Sequence, residues 1–323
     1  MKKQQPLVSF ILTYYNLPVQ MLCECIDSIL ALSLTPEERE IIVVDDGSEV
    51  SPMNGLMHYG DDIIYVRQHN QGLSMARNKG IDMATGTYLQ FVDADDYLLT
   101  DPYNYCLDVL RQNGDRTDMV IFDFTTDNND QSDYGNPLTI SGTEYLRHHN
   151  IRGTAWGYLF RSKTLSELRF TPGIYHEDEE FTPQLLIRSE QVCIVAAKAY
   201  FYRKRKDSIM TDAHQNKCKK RLDDSRDVIL RLHYLADRMP QNERLAMQRR
   251  VAQLSMDYIY NIILQTRSAD ELNSRLDTLR LQGLFPLPDR DYSQKYKWFR
   301  RMINTAAGRQ LLLHTLPYIK RER

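Results

Sequence analysis

Acidic residues directly follow two apolar segments within the first hundred residues of the chain. The run Asp-Asp-Gly-Ser at 45–48 follows the apolar segment 41–44, and the run Asp-Ala-Asp-Asp at 93–96 follows the segment 88–92. Ionised carboxylates that lie close together repel one another unless a cation neutralises them, and hard divalent cations bind carboxylate oxygens. The pattern predicts a divalent-cation site, although a single aspartate in such a place can equally cap a helix or close a turn.

These two acidic runs need a fold that places them side by side. Short β-rich segments alternate with helical patterns, which indicates an α/β protein with an open, mostly parallel sheet and helices on both faces. Strands are predicted at 7–12, 41–44, 63–67, 88–92, 120–124 and 193–202, and helices at 18–32, 73–84 and 103–112. Ligands bind at the carboxyl ends of the strands in such sheets. Both acidic runs, and the run Thr-Tyr-Tyr-Asn at 13–16, directly follow a strand.

The composition excludes several classes of protein. The 323 residues are 42% hydrophobic and 26% charged, as in globular proteins, and the formal net charge of −2 predicts no nucleic-acid partner. No apolar run approaches the roughly 18 residues of a transmembrane helix, and the run 7–12 is too short for a signal-peptide core. The five cysteines form no metal-binding pattern and suit reduced thiols. We therefore expect a cytoplasmic protein.

The last third of the chain has a different, helical character. Helices are predicted at 217–237, 242–266 and 269–282, so we expect an α/β domain at 1–210 followed by a mainly α-helical region at 211–323. The segment 295–323 carries eight Lys or Arg against one acid, and its stretch 296–303 mixes aromatic, aliphatic and basic residues. This basic C-terminal tail predicts peripheral contact with the inner face of a membrane, although a helix packed on a protein core shows the same pattern.

Four sequence blocks occur in a fixed order along the α/β part. They are Val-Ser-Phe-Ile-Leu-Thr-Tyr-Tyr-Asn at 8–16, Val-Val-Asp-Asp-Gly-Ser at 43–48, Asn-Gln-Gly-Leu-Ser-Met-Ala-Arg-Asn at 70–78 and Phe-Val-Asp-Ala-Asp-Asp at 91–96. Together they resemble the inverting glycosyltransferases of family 2, which have the GT-A fold. An ordered set of motifs is far more specific than a lone DxD. The resemblance covers residues 7 to 209 and implies an enzyme of polysaccharide biosynthesis that uses a UDP-sugar donor.

The resemblance assigns residues to the nucleotide part of a donor site. Thr13, Tyr15 and Asp46 match the pocket for the nucleotide base, where an aromatic ring can stack on uracil and a carboxylate can accept its N3–H. Asn70 and Arg77 match positions around the ribose and the phosphates. These assignments make UDP the expected nucleotide.

The family's DxD motif is matched by Asp93 and Asp95. The resemblance implies that Asp95 ligates Mn²⁺ or Mg²⁺ bridging the diphosphate, while Asp93 holds the ribose or a metal-bound water. The ion would neutralise the UDP leaving group as the glycosidic bond breaks.

An inverting transfer also needs a base that takes the proton from the acceptor hydroxyl. The run His-Glu-Asp-Glu-Glu-Phe at 176–181 resembles the family's ED-x-x-F block, which makes Asp178 the expected base and Glu177 its supporting neighbour or a contact for the acceptor. The same acids before the apolar stretch 181–187 would also suit the positive end of a helix dipole without catalysis.

Two further stretches resemble parts of the family's site. Trp156 matches a tryptophan expected to form an apolar wall under the sugar or acceptor, although a buried core position suits it nearly as well. Arg203, Arg205 and Ser208 lie in a basic segment that can close over the diphosphate, because guanidinium groups bind phosphate bidentately. A solvated basic loop is the competing interpretation.

Other classes of function remain open at this stage. The chain has neither the Q-x-x-R-W block nor the transmembrane helices of processive synthases, which favours transfer of a single sugar to a glycan or lipid-linked acceptor. One alternative is a nucleotidyltransferase that forms sugar nucleotides, but its usual Gly-rich basic loop is missing after 7–12. The other is a non-catalytic nucleotide-sugar-binding protein. A dinucleotide oxidoreductase is disfavoured, because no G-x-G-x-x-G follows the first strand.

Overall fold

The computed structural model describes residues 5–127, 134–205, 215–290 and 292–319. Its first elements are β1 (Val8–Tyr14), α1 (Val19–Leu30), β2 (Arg39–Asp45), α2 (Met53–Leu56), β3 (Ile64–Arg67), α3 (Leu73–Met83), β4 (Tyr88–Asp93), β5 (Tyr97–Leu98), α4 (Thr100–Asn113) and β6 (Met119–Thr125). The next are β7 (Leu138–Ile140), α5 (Gly142–His148), β8 (Tyr158–Arg161), α6 (Glu177–Ile187) and β9 (Val192–Phe201). The last are α7 (Gln215–Ala236), α8 (Gln241–Thr266), α9 (Ala269–Leu281), α10 (Gln294–Ile303) and α11 (Ala306–Ile319).

The strands form one sheet in the order β3-β2-β1-β4-β8-β6-β9-β5, and β7 pairs with β9. Strands β3, β2, β1 and β4 are parallel, as predicted, but β8 runs antiparallel to both β4 and β6. The sheet is therefore mixed. The sequence analysis did not identify β8 or β5 as strands, because segments of four and two residues are too short to show an apolar period.

Both faces of the parallel part are covered by helices. Along β1, Phe10 and Leu12 pack into the cluster that contains Ile26 of α1, whereas Ile11 faces α3. A Cβ on Gly80 of α3 would lie 2.2 Å from Ile11 Cγ2, so the helix can approach the strand only because it has no side chain there. This alternation follows the two-residue period of a strand. The continuous apolar run of β2 fits burial on both faces, as predicted.

The register of the parallel strands brings the polar strand ends together. Strand β1 lies between β2 and β4, with Tyr14 opposite Asp45 on one side and Thr13 opposite Asp93 on the other. Because parallel strands end at the same edge, the two acidic runs flank the end of β1. The two acidic runs therefore lie at the same edge of the sheet, as predicted.

The chain divides into two compact units, Met1–Gly142 with Gly153–Ser208, and Thr143–Arg152 with Ile209–Arg323. In the second unit, Arg249 of α8 donates to the carbonyl of His149 at 2.6 Å, and Arg250 donates to that of Ile151 at 2.9 Å. These bonds explain why the segment 143–152, which the sequence analysis placed in the first domain, groups with the C-terminal helices. Among the described helices, none combines the length and the apolar character needed to cross a membrane.

Candidate active site

The loops after β1 and β2 are joined by hydrogen bonds. Asn16 adopts a left-handed conformation with φ 47°; its N–H donates to Ser48 Oγ at 3.0 Å, and its Oδ1 accepts from the N–H of Glu49 at 2.9 Å. Thr13 and Tyr15, the residues expected at the nucleotide base, lie at this joined edge. The side chain of Tyr15 is 48% exposed, so one face of its ring can receive a planar ligand.

Asp46 accepts hydrogen bonds from the segment 68–72, which leads into α3. Its Oδ1 accepts from Gln68 Nε2 at 2.8 Å and from the N–H of Gln71 at 2.9 Å, and its Oδ2 accepts from the N–H of Gly72 at 2.8 Å. A carboxylate offers about four acceptor positions, so these bonds leave one for a ligand. The sequence analysis expected Asp46 at the base pocket but did not indicate this internal role.

Asn70 is held close to the loop after β2 because Gly47 has no side chain. Gly47 has φ +75°, and a Cβ there would lie 2.6 Å from the backbone nitrogen of Asn70. Only glycine therefore satisfies both the conformation and the close approach. The side chain of Asn70, expected near the ribose, is exposed at this edge.

The DxD turn follows β4, and each of its first two acids has an arginine partner. Arg77 Nη2 donates to Asp93 Oδ1 at 3.1 Å, and Arg205 donates to Asp95 Oδ2 through Nε at 2.6 Å and through Nη2 at 2.5 Å. The side chains of Asp93 and Asp95 are 27% and 20% exposed. Burial and the charge of Asp93 raise the pKa of Asp95, and Arg205 opposes this shift.

The next acid of the turn, Asp96, is buried, with 1% of its surface exposed. It accepts hydrogen bonds from Tyr200 Oη at 2.8 Å and from the N–H of Arg203 at 2.7 Å. Burial, together with the charges of Asp93 and Asp95, raises its pKa to about 8. Asp96 thereby fixes the end of β9 against the DxD turn. Tyr200 gave no sequence signal, because a tyrosine inside an apolar strand looks like any core residue.

Arg77 connects the DxD turn to the first turn of α6. Its side chain is 3% exposed, and its Nη1 donates to Glu177 Oε1 at 2.7 Å while its Nη2 binds Asp93. The guanidinium also lies 5.3 Å from the ring centroid of Phe170. The sequence analysis placed Arg77 around the ribose and phosphates; the structure places its guanidinium between two carboxylates that are 84 positions apart in the chain, 93 and 177.

Asp178 lies in the same first helical turn as Glu177 and is half-buried. Its Oδ1 accepts from the N–H of Glu179 at 2.8 Å. Burial raises the pKa of Asp178 well above its usual range, the charges of Glu177 and Asp93 add to this shift, and Arg77 opposes it. Such a carboxylate accepts a proton more readily than an ordinary aspartate. The acids also occupy the favourable end of the helix dipole, so the two interpretations of this block are compatible.

Trp156 belongs to an aromatic stack at the end of β9. Its ring is stacked on Tyr200, with centroids 4.3 Å apart and an interplanar angle of 12°, and it also contacts Tyr202 and Phe124. It is only partly buried. The ring thus packs against the aromatic residues around it, and its role as a wall under a sugar stays a prediction.

The two arginines of the segment after β9 have different partners. Both terminal nitrogens of Arg203 donate to Glu24 Oε2 of α1 at 2.8 Å, and its guanidinium lies over Tyr97. Arg205 binds the DxD turn instead. Ser208, the third residue expected at the diphosphate, lies outside the described residues.

The donor set fits a hard divalent cation that shares its ligands with a substrate. Across the described ranges no three His, Cys, Asp or Glu side chains form a metal cage. Mg²⁺, however, is usually held by one or two carboxylates together with substrate phosphates. Asp93 and Asp95 offer hard, partly exposed oxygens, and five acids gather here against two arginines: Asp93, Asp95, Asp96, Glu177 and Asp178 against Arg77 and Arg205.

Comparisons with known proteins identify relatives of this chain. The curated glycosyltransferase EpsJ of Bacillus subtilis (strain 168), itself uncharacterized, is 33% identical over 221 residues, which are 63% of this chain and 63% of EpsJ. The chain thus spans less than two thirds of this relative. The crystal structure of S. aureus TarS 1–349 in complex with UDP-GlcNAc has a TM-score of 0.64 at 16% identity, covering 98% of this chain and 91% of that one.

A second solved structure has the same fold with another donor. The mannosyltransferase PcManGT from Pyrobaculum calidifontis, in complex with GDP-Man and Mn²⁺, has a TM-score of 0.54 at 13% identity and covers 99% of this chain and 88% of its own. These likenesses confirm the predicted GT-A fold. The family model described as glycosyl transferase family 2 matches residues 9–171, half of the chain, and includes the ends of β1, β2 and β4. The chain therefore belongs to glycosyl transferase family 2.

Proposed function

We propose that this glycosyltransferase moves a single sugar, with inversion, from a UDP-sugar to a hydroxyl of a glycan or lipid-linked acceptor, with a divalent cation bound and Asp178 as the base. The observation that supports this most directly is the pair of bonds made by Arg77. They join Asp93, in the motif expected to hold the donor, to Glu177, which precedes the expected base. Donor and acceptor chemistry then belong to one site.

UDP is proposed as the nucleotide because of the groups at the ends of β1 and β2. Tyr15 offers an exposed ring for stacking, and Asp46 keeps one acceptor position for the N3–H of uracil. The TarS structure that shares the fold holds UDP-GlcNAc, whereas PcManGT holds GDP-Man. The fold therefore accommodates either base, and the choice of UDP depends on these side chains.

Mn²⁺ or Mg²⁺ would be held by Asp95, with Asp93 beside it, and would neutralise the diphosphate as the leaving group. The chain's own residues prepare this site. Arg77 keeps Asp93 in place, and Asp96 holds the turn through Tyr200 and the backbone of Arg203. The turn is thus fixed before the donor binds, which reduces the reorganisation needed for the reaction.

Asp178 is proposed to take the proton of the attacking hydroxyl. Its raised pKa favours proton acceptance, and the neighbouring Glu177 is neutralised by Arg77 rather than left to act as a competing base. Trp156, partly exposed on its aromatic stack, would contact the apolar face of a sugar ring.

A peripheral membrane contact is proposed for the basic helix α10. Trp298, with 52% of its surface exposed, lies three positions from Lys295 and from Arg301, which are also exposed, while Phe299 and Ile303 are buried. An exposed tryptophan between basic residues is typical of a helix at an anionic lipid surface. Such a contact would bring a lipid-linked acceptor within reach at the inner face of a membrane.

A panel of thermal shifts tests the donor and the metal together. UDP-, GDP- and TDP-sugars are added to the protein with and without Mn²⁺, because specific binding stabilises the folded state by mass action, about 2.7 kcal/mol at a hundred times Kd. We expect the UDP-sugars with Mn²⁺ to raise Tm, and Asp95→Ala to lose the shift. A shift with GDP-sugars alone would contradict UDP as the nucleotide, and no shift with any donor would contradict the proposed function.

A further inference from the structure

Arg205 binds the same carboxylate that is proposed to ligate the divalent cation. Two of its nitrogens, Nε at 2.6 Å and Nη2 at 2.5 Å, donate to Asp95 Oδ2. The two side chains are 23% and 20% exposed, so the pair is largely shielded from water. Charge-assisted bonds of this kind are among the stronger polar interactions in proteins, and any cation that uses this oxygen has to compete with the guanidinium.

The charges around the DxD turn explain why a cation is needed there. Asp93, Asp95 and Asp96 lie within one turn at the end of β4, and each is buried or partly buried, so their carboxylates repel one another unless cations neutralise them. The two terminal nitrogens of Arg77 bind Glu177 and Asp93, and the guanidinium of Arg203 is bound to Glu24. Of Arg203 and Arg205, the two residues of the basic segment after β9 that the structure describes, Arg205 is thus the one whose guanidinium binds an acid of the turn.

We propose that Arg205 is an exchangeable counterion, which occupies Asp95 in the ligand-free enzyme and transfers to the diphosphate of the donor when a divalent cation takes that carboxylate. This inference rests on the proposed function. A guanidinium binds carboxylate and phosphate with the same geometry, so the exchange keeps two charge-assisted bonds throughout.

Competition at one carboxylate has a consequence for binding. Metal alone binds weakly, because Arg205 has to leave Asp95 without a new partner. With UDP present, the diphosphate receives the guanidinium, and metal affinity rises. By linkage the metal strengthens UDP binding by the same factor. Donor and cation therefore bind cooperatively, and each binds more weakly when the other is absent.

The test measures Mn²⁺ binding directly, from the electron paramagnetic resonance signal of free Mn²⁺, with and without UDP. In Arg205→Gln we expect Mn²⁺ alone to bind at least about tenfold tighter than in the wild type, since two charge-assisted bonds no longer oppose it. We also expect UDP to increase Mn²⁺ affinity several-fold less than it does in the wild type. Arg205→Lys keeps the charge and should keep Mn²⁺ alone weak.

Arg203→Gln is the matched control, because it removes the same charge from the same segment while its guanidinium binds Glu24 and not the DxD acids. Without UDP, its Mn²⁺ affinity should stay within about threefold of the wild type, as for a screened charge. Asp95→Asn should lose Mn²⁺ binding in every background, which identifies the carboxylate that the signal reports.

Two outcomes separate this inference from the proposed function. Equal or weaker Mn²⁺ binding in Arg205→Gln, with UDP and Mn²⁺ still bound by the wild type, overturns the exchange and leaves the proposed function standing. Failure of the wild type and of Arg205→Gln to bind Mn²⁺ even with UDP overturns the metal-assisted function, and the exchange with it.

Discussion

Arg77 Nη1 lies 2.7 Å from Glu177 Oε1, and the same guanidinium binds Asp93 at 3.1 Å. The three residues belong to α3, α6 and β4. One buried cation therefore fixes the distance between the DxD turn and the turn that carries Asp178. Two acids that would otherwise repel are held together by an arginine stacked near Phe170.

Replacing Arg77 tests this connection. In Arg77→Gln, two carboxylates lose their cation, and we expect the free energy of unfolding to fall by about 3 kcal/mol, as for a broken buried pair, and transfer to fall at least about a hundredfold. Arg77→Lys keeps the charge but not the fork that reaches both acids, so it should fold better yet transfer poorly. Chemical denaturation and UDP release measure the two effects.

The control for Arg77 is Arg169→Lys, at an exposed pair with Asp82. It should change stability by less than about 0.5 kcal/mol and leave transfer intact. Full activity in Arg77→Lys or Arg77→Gln would contradict the linking role.

Asp178→Asn tests the base. The variant should bind UDP-sugar and Mn²⁺ as the wild type does, because Asp178 is not among the residues proposed to hold the donor or the cation. Transfer should fall by about 10²–10⁴, the usual contribution of a general base. Glu179→Gln, one position along the same helix, should retain most of its activity. Isothermal titration and product formation are the measurements; equal transfer in Asp178→Asn and the wild type would refute the assignment.

The pH profile of transfer should reflect the raised pKa of Asp178. A base works only when it is deprotonated, so kcat should fall as pH is lowered through this pKa, at a higher pH than for an ordinary aspartate. Arg77 opposes the rise, so the residual activity of Arg77→Lys should have its acid limb at the wild-type position, while that of Arg77→Gln moves to higher pH. An acid limb near pH 4 in the wild type would contradict the prediction.

Gly47→Ala should harm both stability and donor binding. A Cβ at φ +75° costs about 1–2 kcal/mol, and here it would also lie 2.6 Å from the backbone nitrogen of Asn70, which has to move. We expect the loss to exceed that of Gly60→Ala, where φ is +52° but no atom lies within 4 Å. Denaturant melts and KM for the donor measure these effects; equal losses in the two variants would show that the close approach is unimportant.

Vesicle binding tests the membrane contact of α10. Vesicles of phosphatidylcholine in which about one lipid in three is the anionic phosphatidylglycerol should bind the wild type at low salt. The triple variant Lys295→Gln, Trp298→Ala, Arg301→Gln should bind at least about tenfold more weakly. Leu281→Ala removes an 86% exposed leucine from α9 and should bind like the wild type. No binding by the wild type would remove the proposal.

Much of the fold was accessible from local sequence patterns. The apolar runs of β1, β2 and β4 and the acids that follow them predicted a sheet with polar strand ends, and Thr13 indeed pairs in register with Asp93. The helices α7, α8 and α9 were predicted within a few residues of their observed bounds. These features depend on periodicity and on neighbours in sequence, which the chain displays without its fold.

The amino-acid sequence by itself determined the family, the order of the motifs and the acids at the strand ends. Tertiary structure alone decided that β8 runs antiparallel, that Arg77 joins Asp93 to Glu177, and that the guanidinium of Arg205 rather than that of Arg203 binds the DxD turn. Strand direction and the pairing of distant charges leave no local pattern. They follow from which buried groups the packing brings within hydrogen-bond distance, and from the cost of leaving any of those charges without a partner.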